Sequence, residues 1–143
     1  MSATVLVVDD DEASREALAM LLEQMGLKTL AARSGEAALD VLKHAPVDLV
    51  LLDIRMPGLT GFDVLTRLQR RPRRPPVIMT TASGDSQDVG EALRLGAVGY
   101  ILKPVRADVL RTRVQRFLKL PSGAAERTAA YVSYDDVRRF RGR

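Results

Sequence analysis

No cysteine occurs among the 143 residues, which excludes a disulfide framework and any thiolate metal site. The single histidine, His44, has no second imidazole to share a metal and no obvious partner for acid–base work. It precedes Ala45-Pro46 at the end of a helical pattern and reads as a solvated residue compatible with the helix dipole. No Gly-x-x-x-x-Gly-Lys loop is present, so a nucleotide-binding P-loop is excluded. No apolar run approaches the roughly 18 residues of a membrane span. Met1-Ser-Ala-Thr4 lacks the basic flank of a signal peptide, so a soluble, cytoplasmic protein with no membrane contact is the expectation. Aromatics make up only 4% of the chain, and none interleaves the arginines at 67, 70, 71, 73 and 74. Such a basic run can bind nucleic acid, but without stacking residues it reads as a solvated face.

What is present is an ordinary globular balance: 46% hydrophobic residues and a net charge of +4 carried largely by arginine. The length suits one domain with a real core. Its centre is the stretch Val47 to Gly58, where the apolar run Leu49 to Leu52 ends in Asp53 and a Pro and a Gly follow. This reads as a buried strand delivering one carboxylate to the rim of a sheet. Such a carboxylate is costly unless a cation or hydrogen bond pairs it.

The rest of the chain alternates around that strand. Thr4–Val8 reads as a strand ending in Asp9-Asp10-Asp11, and Glu12–Met25 as a helix with Leu18, Leu21, Leu22 and Met25 on one face. Leu27–Ala32 is a second strand. Ser34 caps a helix over Gly35–His44, with Ala38, Leu39 and Leu42 inward. After a third strand over Asp48–Leu52 comes a helix over Phe62–Arg71, then a proline-stiffened connector. Val77–Thr80 is strand four and Ser86–Leu95 a helix with Val89, Ala92 and Leu93 inward. Val98–Leu102 is strand five. Arg106–Leu120 is a last helix striped by Leu110, Val114, Phe117 and Leu118.

Five rounds of strand and helix at spacings of roughly 20 to 25 residues predict an α/β fold, a parallel sheet with helices on both faces. Ligands of such sheets bind beyond the carboxyl ends of the strands. Asp9, Asp10, Asp53, Thr81 and Lys103 therefore share one crevice. Three carboxylates together suit a hard divalent cation such as Mg2+. With a hydroxyl and an ammonium beside them they suit phosphoryl transfer, with an aspartate as nucleophile.

Four motifs carry a resemblance: Val7-Val8-Asp9-Asp10, Leu52-Asp53-Ile54-Arg55-Met56-Pro57-Gly58, Val77-Ile78-Met79-Thr80-Thr81-Ala82, and Gly99-Tyr100-Ile101-Leu102-Lys103-Pro104. Over roughly residues 3 to 120 the chain resembles the receiver domain of bacterial two-component response regulators, including the chemotaxis receivers. The resemblance implies a flavodoxin-like doubly wound (βα)5 sheet in the order 2-1-3-4-5. It implies that Asp53 accepts a phosphoryl group from a sensor histidine kinase and becomes a 4-aspartylphosphate. Mg2+ would be held by Asp10 directly, by Asp9 through water, by Asp53 and by the Arg55 carbonyl. Thr81, with the Ala82 amide, and Lys103 would bind the phosphoryl oxygens, and Lys103-Pro104 would be cis. Thr81 and Tyr100 would form the switch, acting on the face of helix four, strand five and helix five, where a homodimer would form. Arg55 and Ser83 occupy positions that tune hydrolysis. On this reading the chain is no enzyme beyond its own phosphoryl transfer and dephosphorylation.

Each residue has a plainer reading. The aspartates at 9 to 11 can cap a helix, Asp53 can form a turn, and Thr81, Tyr100 and Lys103 can be ordinary strand-end residues. Asp11 reads only as a helix-start acid. Their joint placement at strand ends favours the receiver. Haloacid dehalogenase-like phosphatases offer an alternative, with Asp9 as nucleophile in Asp9-Asp10-Asp11. That alternative leaves the Asp53 motif unexplained and needs a later acidic motif at a strand end, whereas Asp108 falls in a helix. Residues 1–120 are expected to be the receiver and 121–143 a basic linker or tail, with five arginines against three acids from Glu126 onward. Tyr131 to Arg138 weakly resembles the approach to the helix-turn-helix of citrate and C4-dicarboxylate-type regulators. A transcription regulator whose DNA-reading domain lies outside this chain is thus expected, with a stand-alone receiver that docks on partners as the alternative.

Overall fold

The computed structural model describes residues 2–82 and 84–120. Five strands, β1 (Thr4–Val8), β2 (Lys28–Ala32), β3 (Leu49–Asp53), β4 (Val77–Thr81) and β5 (Gly99–Leu102), alternate with five helices. These are α1 (Glu12–Gln24), α2 (Gly35–His44), α3 (Gly61–Gln69), α4 (Ser86–Arg94) and α5 (Ala107–Val114). All neighbouring strands are parallel, in the order β2-β1-β3-β4-β5. This is the doubly wound order expected. Two of the three interior strands, β1 and β3, carry no exposed residue before the rim and read as unbroken apolar runs because a helix layer covers each face.

Two apolar layers form the core. Val5, Val7, Leu49, Leu51, Ile78 and Ile101 pack beneath Leu18, Leu21 and Leu22 of α1 and Leu110 and Val114 of α5. Leu6, Val8, Val50, Leu52 and Met79 face Ala38 of α2, Val64, Leu65 and Leu68 of α3, and Ala92 of α4. The two-residue period of the strands sorts side chains between these layers.

The helix starts follow from local chemistry. Ser34 accepts from the Ala37 amide at 3.1 Å. Thr60 and Asp63 form a reciprocal capping box on α3. Asp11 Oδ2 accepts from the Ser14 amide at 2.9 Å, so Asp11 is the helix-start acid expected. His44 is an exposed helix-end residue, its Nδ1 2.9 Å from the Asp40 carbonyl oxygen.

Several boundaries and faces differ from expectation. Strand β3 starts and ends one residue later, because Asp48 uses its side chain to accept from the Thr4 amide at 2.8 Å while Asp53 stays in the ladder opposite Thr80. Helix α5 ends at Val114 rather than Leu120. Beyond it the Phe117 and Leu118 amides both turn back to the Val114 carbonyl at 3.0 Å. There Leu118 is buried in the core and Leu120 packs against it half-buried, while Phe117 stays 40% exposed. A segment this short and basic gains little from helix formation by itself. Leu93 likewise lies outward on α4, 47% exposed, with Ala92 taking the buried position.

Candidate functional site

The candidate residues meet at the carboxyl ends of β1, β3, β4 and β5. Asp9 continues the β1 ladder, its amide donating to the Ala32 carbonyl at 3.1 Å. Its side chain is fully buried and both oxygens are engaged. Oδ1 accepts from the Asp11 amide at 2.9 Å, and Oδ2 accepts from Lys103 Nζ at 2.5 Å. The Arg15 guanidinium holds the Asp9 carbonyl at 2.8 Å, tying the strand end to α1. Asp10, one residue on, is exposed and faces the opening. Asp53 ends β3 and is 7% exposed. Its Oδ2 lies 3.6 Å from Lys103 Nζ.

Asp9, Asp10 and Asp53 each offer a carboxylate oxygen within 4.8 Å of the others. Among the described residues this is the group of acids close enough to hold one cation. Burial pushes the Asp53 carboxyl up to about 6, against the opposing pull of the Lys103 ammonium and helped by the charges of Asp9 and Asp10. Burial works against the Lys103 ammonium too. The hydrogen bond and charge of Asp9, then the charge of Asp53, outweigh it and hold the lysine above its ordinary value. Lys103 is thus a cation at neutral pH shared unequally between two acids.

Thr81 is the last residue of β4 and is buried, and its carbonyl accepts from the Lys103 amide at 2.8 Å. The Lys103–Pro104 peptide is cis, as the resemblance implies. Tyr100 sits half-buried on β5 against the layer under α3 and α4. Ala82 is exposed just past β4, while Ser83 and the tail from residue 121 lie outside the described residues. The phosphatase alternative needs a free Asp9 carboxylate, whereas this one is buried with both oxygens engaged. Asp108 is also remote from the task, paired on the surface with Arg106.

The loop after β3 is shaped by contacts that the sequence did not signal. Gly61 lies so close beneath the site that an added Cβ would collide with the Asp53 carbonyl oxygen and come within 3.0 Å of Ile54 Cα. The Gly61 amide donates to the Ile54 carbonyl at 2.9 Å, closing the loop. Glu36, on α2, accepts from the Leu59 amide at 3.3 Å across 23 residues of sequence. One terminal nitrogen of Arg55 reaches both carboxylate oxygens of Asp88, at 2.6 and 2.8 Å, joining the loop to the first turn of α4. No periodicity or motif pairs these positions, so only the packed fold reveals them.

The fold and the acidic cleft define the class first: a doubly wound parallel sheet with its polar site at the strand ends, where strand order reverses between β1 and β3. The family follows from comparison. Residues 5–115 match the response regulator receiver domain, and the chain belongs to this family of two-component signalling modules. It is 39% identical over 116 residues to the transcriptional regulatory protein AfsQ1 of Streptomyces coelicolor, covering 81% of this chain and 51% of that protein. It is 44% identical over 115 residues to the positive alginate biosynthesis regulatory protein of Pseudomonas aeruginosa, covering 78% and 46%. The chain thus spans about half the length of these curated relatives. The solved structure of the chemotaxis protein CheY4 of Vibrio cholerae superposes with a TM-score of 0.76 at 30% identity, covering 82% of this chain and all of that one. Among the described residues no helix is long and apolar enough to cross a membrane.

Proposed function

We propose that this receiver takes a phosphoryl group from a sensor histidine kinase onto Asp53, with Mg2+ as cofactor. The observation that carries the reading is the Asp53 carboxylate itself, buried at the strand end with Lys103 Nζ 3.6 Å away and the Asp10 carboxylate open beside it. The oxygen-only donor set fits a hard cation. Asp10 would bind it directly, together with Asp53 and the Arg55 carbonyl. Asp9 has both oxygens occupied by protein donors, which supports a contact through water. Bound there, the cation supplies neutralising charge to the carboxylates and to an incoming phosphoryl group.

In the transfer, an Asp53 carboxylate oxygen bonds to phosphorus. The bond from phosphorus to the donor imidazole nitrogen breaks and leaves its electron pair on that nitrogen. Lys103 and the Thr81 hydroxyl stabilise the phosphoryl oxygens, with the Ala82 amide. Thr81 and Tyr100, on adjacent strands, are the switch through which loading of Asp53 reaches the α4-β5-α5 face. Leu93, Val98 and Leu102 expose apolar surface there, and Arg106 adds charge. That face is the proposed docking and homodimer surface. The relatives named as transcription regulators favour DNA control through an output domain outside the matched residues. Residues 1–120 are the receiver on this reading, acting in the cytoplasm. The chain does no chemistry beyond its own phosphoryl transfer and hydrolysis.

Intact mass after incubation with acetyl phosphate and Mg2+ tests the reading. One phosphoryl adduct on the wild type, lost in Asp53→Asn and on chelation, is expected. An adduct that persists in Asp53→Asn and vanishes in Asp9→Asn would refute it.

A further inference from the structure

The side chain beside Asp53 in the sheet is a hydroxyl that the motif does not use. Thr80 pairs with Asp53 in the β3–β4 register and with Ile101 in the β4–β5 register. Residues paired this way leave the sheet on the same face. Two residues earlier on each strand, Leu51 and Ile78 lie in the layer under α1 and α5. Asp53 and Thr80 therefore emerge on that side, as does Lys103, two residues past Ile101 of the same layer. Thr81 follows Met79 and emerges on the other. The phosphoryl-accepting carboxylate thus has a hydroxyl on each side of the sheet.

Thr80 is fully buried, and its Oγ1 has no hydrogen-bond partner. A buried hydroxyl without a partner destabilises the state that contains it, and valine has the same shape without that penalty. The groups beside it on this face are those whose arrangement changes when Asp53 is loaded. Lys103 now divides itself between Asp9 and Asp53, and acyl phosphate formation turns the Asp53 carboxylate into a neutral acyl group with a free carbonyl oxygen.

We propose that Thr80 is a second hydroxyl of this site, unpartnered in the resting state and donating to the acyl oxygen of Asp53 once it carries the phosphoryl group. The inference rests on Asp53 being the acceptor. It makes Thr80 a device that favours the loaded state. Loss of the phosphoryl group is hydrolysis: a water oxygen bonds to phosphorus, and the bond from phosphorus to the Asp53 oxygen breaks. The electron pair stays on the carboxylate and the water's proton goes to solvent. A hydrogen bond made in the loaded state and lost as the resting carboxylate re-forms lowers the loaded state more than the transition state for its hydrolysis, and so slows decay.

The experiment compares wild type, Thr80→Val and Thr80→Ser. The decay of the phosphorylated protein is followed by intact mass after acetyl phosphate is removed with Mg2+ retained, and the melting of each unloaded protein is recorded. Thr80→Val is expected to melt about 2–6 °C higher, since the orphaned hydroxyl is gone. It is also expected to lose its phosphoryl group about three- to tenfold faster, the worth of one hydrogen bond. Thr80→Ser keeps the hydroxyl and is expected to decay within about twofold of wild type on the same account. A Thr80→Val protein that holds its adduct as long as wild type, or melts lower, overturns the proposal. So does a Thr80→Ser protein that decays as fast as Thr80→Val, which would mark a packing role. In those cases the Asp53 reading stands. A wild type that takes up no adduct overturns that reading, and this proposal with it.

Discussion

Replacing Asp53 with asparagine is expected to stabilise the metal-free protein at neutral pH, although it removes the proposed acceptor. The carboxyl is held up to about 6 in the folded chain against 3.8 in its unperturbed form. A shift of about 2 units corresponds to ~3 kcal/mol. The carboxylate faces an open rim where water screens part of this, leaving about 1–2 kcal/mol. The sign follows from proton binding. Between about pH 4 and pH 6 the folded state holds a proton that the unfolded state has released, so wild-type stability falls as pH rises through that window. Above it the whole penalty is present, and below it none. Asparagine carries no charge and escapes the penalty, and Lys103 keeps its closer partner, Asp9 at 2.5 Å. Thermal melts in EDTA at about pH 7.5 should place Asp53→Asn roughly 3–8 °C above wild type. The gap should close near pH 4, and millimolar Mg2+ should narrow it at neutral pH by raising the wild type more. A mutant that melts at or below wild type in EDTA at neutral pH would refute the argument, as would a gap unchanged at pH 4.

Gly61→Ala should destabilise the fold by about 1–3 kcal/mol by forcing the loop off the Asp53 carbonyl, with the loss read in urea melts and an impaired acetyl phosphate reaction as its companion. A double-mutant cycle on Arg55→Ala and Asp88→Ala should give a coupling of about 0.5–1 kcal/mol that shrinks in high salt, since the arginine is largely exposed. Coupling that is unchanged by salt would mean that the pair acts through packing. Sedimentation with beryllofluoride and Mg2+ should show a dimer that Leu102→Glu abolishes, because Leu102 is 47% exposed on the proposed docking face. A beryllofluoride-loaded wild type that stays monomeric at high concentration would count against that face.

Much of the fold was legible because parallel strands buried on both faces must be apolar throughout, and Leu49 to Leu52 can be little else. Thr4–Val8 and Gly35–His44 came out to the residue because a strong signal marks their ends: an acid run after Val8, and Ser34 and Pro46 around the helix. Phe117 and Leu93 were misplaced for the opposite reason. Both fit a helical stripe, but a stripe does not say how far the sheet beneath it extends. The site residues could be named because strand ends of this topology converge, so motif and fold point to one place.

The sequence by itself determined the alternation of strands and helices, the acids, hydroxyl and lysine at the strand ends, and through its motifs the family. Those properties live in short stretches of chain, where period, caps and turn residues act locally. Only the tertiary structure decided that Lys103 bonds Asp9 more closely than Asp53, that Asp9 has no free oxygen while Asp10 faces the opening, and that Arg55 grips Asp88. It alone showed that Thr80, paired with Asp53 in the sheet, is buried without a partner. Each of these depends on the distance between groups far apart in sequence, or on how completely water is excluded from between them. Neither quantity exists until the two apolar layers have closed on the sheet.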